Sequence, residues 1–421
     1  CMRGRSLVQL ALRTRQKPLA CARSEDGESD VDFDELTDRR GTDSKKWDLM
    51  EPALGVPADD GLAMWIADMD FRTPEFLRDA VHTLLDRANS GYFCGLESFT
   101  DSISWWMRER HGWAVAADAM FTTFGLGNGI GITLQALTEP GDEIITFTPV
   151  YHEFAMKIEK SGRFNRELPL VQEDGGLYRM DFERYQKMLS GREKLVIFCS
   201  PHNPAGRVWT QTELMELAEF CERNDLLLIS DEIHADLTFP GQKHLPVAVA
   251  VPEIANRLVM MTSASKTFNI AGARTGTVSI SDPVLRDRFS SMYRALDMNP
   301  NLLGVALTRA AYSPAGAIWV DGLRDYLAGN YAEFKSGVDG IPGLKLMPMQ
   351  STYLSWVDFS GTGMERSEFS DRVKRRARIA VTPGHTLGLG GETFLRFNIG
   401  TQHSRIVEAV SRLQDAFSDL Q

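Results

Sequence analysis

The sequence predicts an α/β protein: a three-layer fold with a large, mostly parallel sheet, followed by a smaller α+β portion. Three observations carry this expectation. Short, almost wholly apolar runs recur between residues 142 and 265, each closed by turn residues; such runs read as parallel strands buried on both faces. Helix-patterned stretches lie between them, and strands alternating with helices indicate a sheet covered on both sides. Beyond about residue 285 the pattern turns to long helical stretches, with only two further strand-like runs.

The elements follow in chain order. A helix is expected at 73–88, TPEFLRDAVHTLLDRA, with Thr73 as its cap, Pro74 at its first position and apolar residues at helical spacing. A glycine-rich turn, TTFGLGNGIGITLQAL (122–137), leads into another. Strands are expected at DEIITFTP (142–149), KLVIFCSP (194–201), DLLLISDE (225–232) and RLVMMTSAS (257–265), and a helix at TQTELMELAEFCERN (210–224). DPVLRDRFSSMYRALD opens a long helical region, and later strands are expected at 353–358 and 394–399. The domain expectation is a leader at 1–32, an N-terminal segment at 33–72 belonging to a small domain, a large domain at 73–310 and the rest of the small domain at 311–421.

Composition excludes several classes. The 421 residues are 43% hydrophobic, ordinary for a globular enzyme, and no stretch nears 18 uninterrupted apolar residues, so no membrane partner is expected. The net charge of −11 argues against a nucleic-acid surface. Five scattered cysteines without a CxxC pair suit a reducing compartment, and the expected location is the cytoplasm. The segment from Arg3 to Arg23 carries six basic residues and no acid before SEDGESDVDFDE reverses the sign. A transit peptide is one reading; the shortage of serine and of an apolar run favours a disordered or non-native leader.

The polar residues at the strand ends point to chemistry. Ligands of open α/β sheets bind beyond the carboxyl ends of the strands. Three such ends deliver Asn203, Asp231 and the run Ser263 to Lys266. The turn Gly125, Leu126, Gly127 opens a helix whose free N–H groups can hold a phosphate. Singly, each has a commoner fate: a solvated lysine, a capping aspartate, a turn glycine. Together they describe a pyridoxal 5′-phosphate site. Lys266 supplies the amine for the cofactor aldehyde, and Asp231 the carboxylate that keeps the ring nitrogen protonated. Asn203 faces the phenolic oxygen, Tyr151 stacks on the ring, and Ser263, Ser265 and Arg274 join the helix turn around the phosphate.

SASKTFNIAGARTG (263–276), SPHNPAGRVW (200–209) and SDEIHADL (230–237) resemble the fold-type I pyridoxal phosphate enzymes. MWIADMDFRTP (64–74) and DRRGTDSKKWD (38–48) narrow the resemblance to the MalY/PatB branch of the class I/II aminotransferase superfamily, mostly carbon–sulfur lyases of the cystathionine β-lyase type. The resemblance implies a homodimer with shared active sites, in which Tyr92 reaches the neighbouring subunit's phosphate and Arg396 binds the α-carboxylate of a small amino-acid substrate. It places His234 where the wider superfamily often has a ring-contacting tyrosine; a merely packed histidine is the alternative. Arg274, eight residues after Lys266, departs from the branch and matches many aminotransferases. The expected reaction is therefore β-elimination from cystathionine or a cysteine S-conjugate, with amino transfer as the alternative and a regulatory binding role as a third reading.

Overall fold

A computed structural model describes residues 32–420; apart from Asp32, the expected leader lies outside them. Seven strands form the main sheet: β1 (Met120–Thr123), β2 (Glu143–Thr148), β3 (Phe164–Pro169), β4 (Glu193–Cys199), β5 (Leu227–Asp231), β6 (Leu258–Thr262) and β7 (Gly276–Ser279). Their order is β1-β7-β6-β5-β4-β2-β3, and all neighbours run parallel except β7, which is antiparallel to both β1 and β6.

Strand side chains alternate between two cores, which is why the central runs are apolar at every position. Leu195, Ile197 and Cys199 of β4 enter one core with Val259 and Met261 of β6, while Val196, Phe198, Leu258 and Met260 enter the other. Helices α1 (Glu75–Asp86), α2 (Glu97–His111), α3 (Leu126–Leu137), α4 (Glu153–Lys160), α5 (Gln211–Arg223) and α6 (Pro283–Ala295) accompany the sheet. Leu126, Ile130 and Leu134 of α3 and Phe289 of α6 fill the first core; Trp106 of α2 and Leu217 of α5 fill the second.

The helix starts have local causes. Thr210 and Glu213 make a reciprocal capping box at α5, satisfying two N–H groups that the helix itself leaves unpaired. Asp282 caps α6, whose first residue is Pro283. The expectation for α1 is corrected by one position: Pro74, not Thr73, is the capping residue, and the helix begins at Glu75. Pro74 has an extended ψ of 150°, so its ring closes the incoming chain instead of opening the first helical turn.

Helices α7 (Leu302–Ala311) and α8 (Pro314–Asp339) lead to a four-stranded antiparallel sheet of β8 (Lys345–Leu346), β9 (Leu354–Asp358), β10 (Thr382–Pro383) and β11 (Phe394–Asn398), ordered β8-β9-β11-β10. Helix α9 (His403–Ala416) follows. Leu62–Ala63 pairs in parallel with Ile379–Ala380, which ties the segment before α1 to the C-terminal region.

Candidate active site

Register brings the predicted strand ends together. Cys199, the last residue of β4, lies beside Asp231, the last of β5, and Asp231 lies beside Met261 of β6. Beyond these ends is a cavity of about 360 Å³, and Tyr151, Asn203, Asp231, His234, Ser265, Lys266 and Arg274 all line it. The N-terminus of α3 closes one side with Gly125, Leu126, Gly127 and Asn128.

The α3 end is built to accept an anion. Gly125 has φ +81°, a conformation open to glycine, and among the described residues no side chain caps the helix, so the Leu126 and Gly127 N–H groups at the cavity wall are uncommitted. Gly276 allows the turn to settle on β7, since an added Cβ would fall 2.6 Å from Leu126 Cδ2. Arg274 is exposed, sits in the left-handed region at φ +48° and forms no ion pair among the described residues. Ser263 is not among the residues lining the cavity. Its hydroxyl donates to the Thr275 carbonyl at 2.7 Å and accepts the Ser265 N–H at 3.1 Å, so it caps the turn that carries Lys266.

The opposite side holds groups whose ionisation burial has changed. Burial, with Glu232 adding to it, raises Asp231 to about 7 against the Ile233 N–H and Lys266, which lower it. A cation placed in the cavity would reverse that. Burial lowers Lys266 to about 8; Asp68 and Asp231 oppose the shift, and Arg396 reinforces it. The Lys266 amine donates to the Ala67 carbonyl at 2.6 Å. Burial and the nearby Lys266 and Arg396 charges hold His234 neutral, down to about 3, and its Nδ1 has no partner among the described residues. Burial raises the Tyr151 phenol to about 12.

Arg396 stands one step behind the lining. It is buried on β11 and donates to Asn203 Oδ1 at 2.8 Å, to the Trp65 carbonyl at 3.0 Å and to Thr382 Oγ1 at 3.1 Å. Its Nε has no partner among the described residues, and burial brings the guanidinium down to about 10. Tyr92 is not among the residues lining this cavity; it is the most exposed large hydrophobic side chain of the described residues, on the stretch between α1 and α2. Ala67, Phe124, Glu153, Lys157 and Cys199 also line the cavity and were not anticipated. Ala67 lies within MWIADMDF, and that run, followed by no strand, is the only local signal for it.

These residues fit pyridoxal phosphate: an uncapped helix end and an arginine for a phosphate, a buried carboxylate for a cationic ring nitrogen, and in Lys266 a buried amine that, unlike Lys157, is not tied up in an ion pair among the described residues. The model of the family described as aminotransferase class I and II matches residues 68–413. Cystathionine beta-lyase PatB of Bacillus subtilis is 36% identical over 391 residues, covering 92% of this chain and all of the relative. The solved structure of cystalysin from Treponema denticola, which contains pyridoxal 5′-phosphate, superposes with a TM-score of 0.88 at 32% identity, covering 93% of this chain and all of that one. A pyridoxal-phosphate-bound protein from Clostridium difficile 630, provisionally assigned as an aminotransferase, gives 0.88 at 31% identity, covering 92% and all of the two chains.

Proposed function

This chain belongs to the aminotransferase class I and II family, and from that premise we propose that it is a pyridoxal 5′-phosphate-dependent carbon–sulfur β-lyase. Its substrates are cystathionine or a cysteine S-conjugate and one water: elimination releases the thiol, and hydrolysis of the remaining three-carbon enamine gives pyruvate and ammonia. The observation that carries the reading is full-length similarity to a cystathionine beta-lyase, joined to the convergence of Lys266, Asp231 and Asn203 on one cavity.

The cofactor, when bound, would supply an electrophilic carbonyl and a ring able to withdraw electrons from the substrate's α-carbon. The chain supplies everything else. The α3 N-terminus, Ser265 and Arg274 hold the phosphate, and Asp231 pairs with the ring nitrogen. Asn203 donates to the phenolic oxygen, Tyr151 stacks on the ring, and neutral His234 lies alongside. Arg396 grips the substrate carboxylate, because a planar fork matches its two oxygens. Lys266, lowered to about 8, is a competent base near neutral pH and removes the α-proton. The same proton is then available to the departing thiolate, so the lysine ends as it began.

The site residues in these roles, the small domain made of 33–72 with 311–421 and the large domain of 73–310 are part of the proposal. The Leu62–Ala63 pairing with Ile379–Ala380 supports that domain division. So are a homodimer sharing its active sites through Tyr92 and a cytoplasmic location. Among the described residues, no helix is long and apolar enough to cross a membrane. Amino transfer is the second reading, favoured by Arg274. One assay decides between them: cystathionine supplied without an oxo acid should yield free thiol and pyruvate through many turnovers. Stoichiometric conversion of the cofactor to pyridoxamine phosphate, without thiol, would overturn the lyase reading.

A further inference from the structure

Six consecutive carbonyl groups, Trp65 to Asp70, each accept a hydrogen bond from a side chain. Arg396 and Thr382 hold Trp65; Asn398 holds Ile66; Lys266 holds Ala67. Lys46 and Asn398 hold Asp68, Arg39 and Asn269 hold Met69, and Gln402 holds Asp70. Backbone carbonyls are ordinarily paired mostly with other backbone groups, so this strap is clamped by side chains where a sheet or helix would otherwise hold it. The Asp70 carboxylate anchors its far end, buried among Lys46 at 2.8 Å, Trp47 at 2.8 Å and Arg39 at 3.3 Å.

One clamp joins the strap to the lysine's own loop. Asn269 lies three residues after Lys266, and Met69 two residues after Ala67. The Asn269 amide accepts the Met69 N–H at 2.8 Å and donates to the Met69 carbonyl at 2.7 Å. Its backbone is left-handed, φ +54°, which asparagine tolerates better than most residues. The two segments are thus locked in register, and the Ala67 carbonyl meets the Lys266 amine.

We propose that Asn269 is a positioning residue: by clasping Met69 it fixes the Ala67 carbonyl against Lys266 and so sets the pH at which that amine loses its proton. The proposal rests on the reading of Lys266 as the reactive amine. An acceptor held in place favours the ammonium form and works against burial. The charged and titratable groups facing Lys266 are Asp68 from the strap, Asp231 and His234 from the end of β5 and beyond, and Arg396 from β11. Tyr151, Glu153, Lys157 and Arg274 line the same cavity. Loosening the strap withdraws both the Ala67 carbonyl and Asp68, so the balance tips toward the neutral amine.

The test is the pH dependence of Lys266 acylation by acetic anhydride, read by peptide mapping on the full-length protein stripped of cofactor. Asn269→Gly suits the left-handed backbone while removing the clasp, and should move the midpoint down by about one pH unit. Asn398→Ala loosens the strap from its other side and should move it in the same direction. Tyr185→Phe is the control: it removes a hydroxyl donor to the Pro169 carbonyl at the end of β3, and should lower thermal stability without moving the midpoint. An unmoved midpoint in Asn269→Gly, or an equal shift in Tyr185→Phe, overturns the proposal. Should Asn269→Gly fail to fold, the Asn398→Ala midpoint decides alone. Borohydride mapping of the holoenzyme reports separately on whether Lys266 carries the cofactor.

Discussion

The Arg396 guanidinium donates to Asn203 Oδ1 at 2.8 Å, across 193 residues of sequence. This contact joins the second sheet to the loop beyond β4. It links the group proposed to bind the substrate carboxylate to the one proposed to face the cofactor ring. It also makes the guanidinium a shared resource, held at once by Asn203, Trp65 and Thr382.

Arg396→Lys tests that arrangement. A lysine keeps the charge but offers a point donor in place of a planar fork. Loss of one charge-assisted hydrogen bond costs about 1.5–3 kcal/mol, so kcat/KM should fall roughly 10- to 100-fold, chiefly through KM. An unchanged KM would remove Arg396 from the substrate site.

Lys266 should carry the cofactor. Reduction of the holoenzyme with borohydride, followed by peptide mapping, is expected to tag Lys266. A tag on Lys243 or Lys194 would sink the assignment.

Asp231→Asn should retain much of the bound cofactor and lose turnover by orders of magnitude, because an amide cannot hold a ring nitrogen's proton. Its effect on the cofactor-free protein has a definite sign. Folding raises the Asp231 carboxyl from 3.8 to about 7, so the folded state binds more protons between those values. The wild-type thermal midpoint should therefore receive a falling contribution from Asp231 as pH rises from about 4 to 7. Asp231→Asn removes that contribution. Melting curves across this window, wild type against variant, check it; parallel profiles would show the carboxyl titrates normally.

Tyr92 should serve the partner's site. Its full exposure in one chain suits a residue covered by a neighbour. Tyr92→Phe should weaken cofactor affinity, since a phenol donating to a phosphate oxygen is worth about 1.5–3 kcal/mol. A hybrid of a Tyr92→Phe chain with a Lys266→Ala chain has one lysine-bearing site, which receives the intact tyrosine from its neighbour. Cofactor affinity there should return to the wild-type value. A site as loose as that of the Tyr92→Phe homodimer would place Tyr92 elsewhere.

Parts of the fold were legible because their causes are local. The β2, β4 and β5 runs match their expected ranges to a residue or two, since strands buried on both faces are apolar at nearly every position, and β6 ends three residues early. The edge strands β1 and β3 went unseen. β1 has three half-buried positions, and β3 reads FNRELP, with Phe164 exposed and charge in its middle. β7 is four residues long, and its burial gives no alternation to read.

What the sequence by itself determined is the set of strand ends, and with them Asn203, Asp231 and Lys266, because a strand's end is marked within a few residues of itself. The turn at Gly125 belongs to this set, as a glycine-rich entry to a helix. Only the tertiary structure decided which of these groups meet, and what else they meet. Strand order makes Cys199 and Asp231 neighbours, spends the Ser263 hydroxyl on Thr275, and carries Ala67 across 199 residues to the Lys266 amine. Such contacts depend on how distant segments pack, and the Trp65–Asp70 strap shows why no local pattern announces them: its carbonyls carry no side-chain identity, and their partners come from three separate segments, Arg39 and Lys46, Lys266 and Asn269, and Thr382 to Gln402.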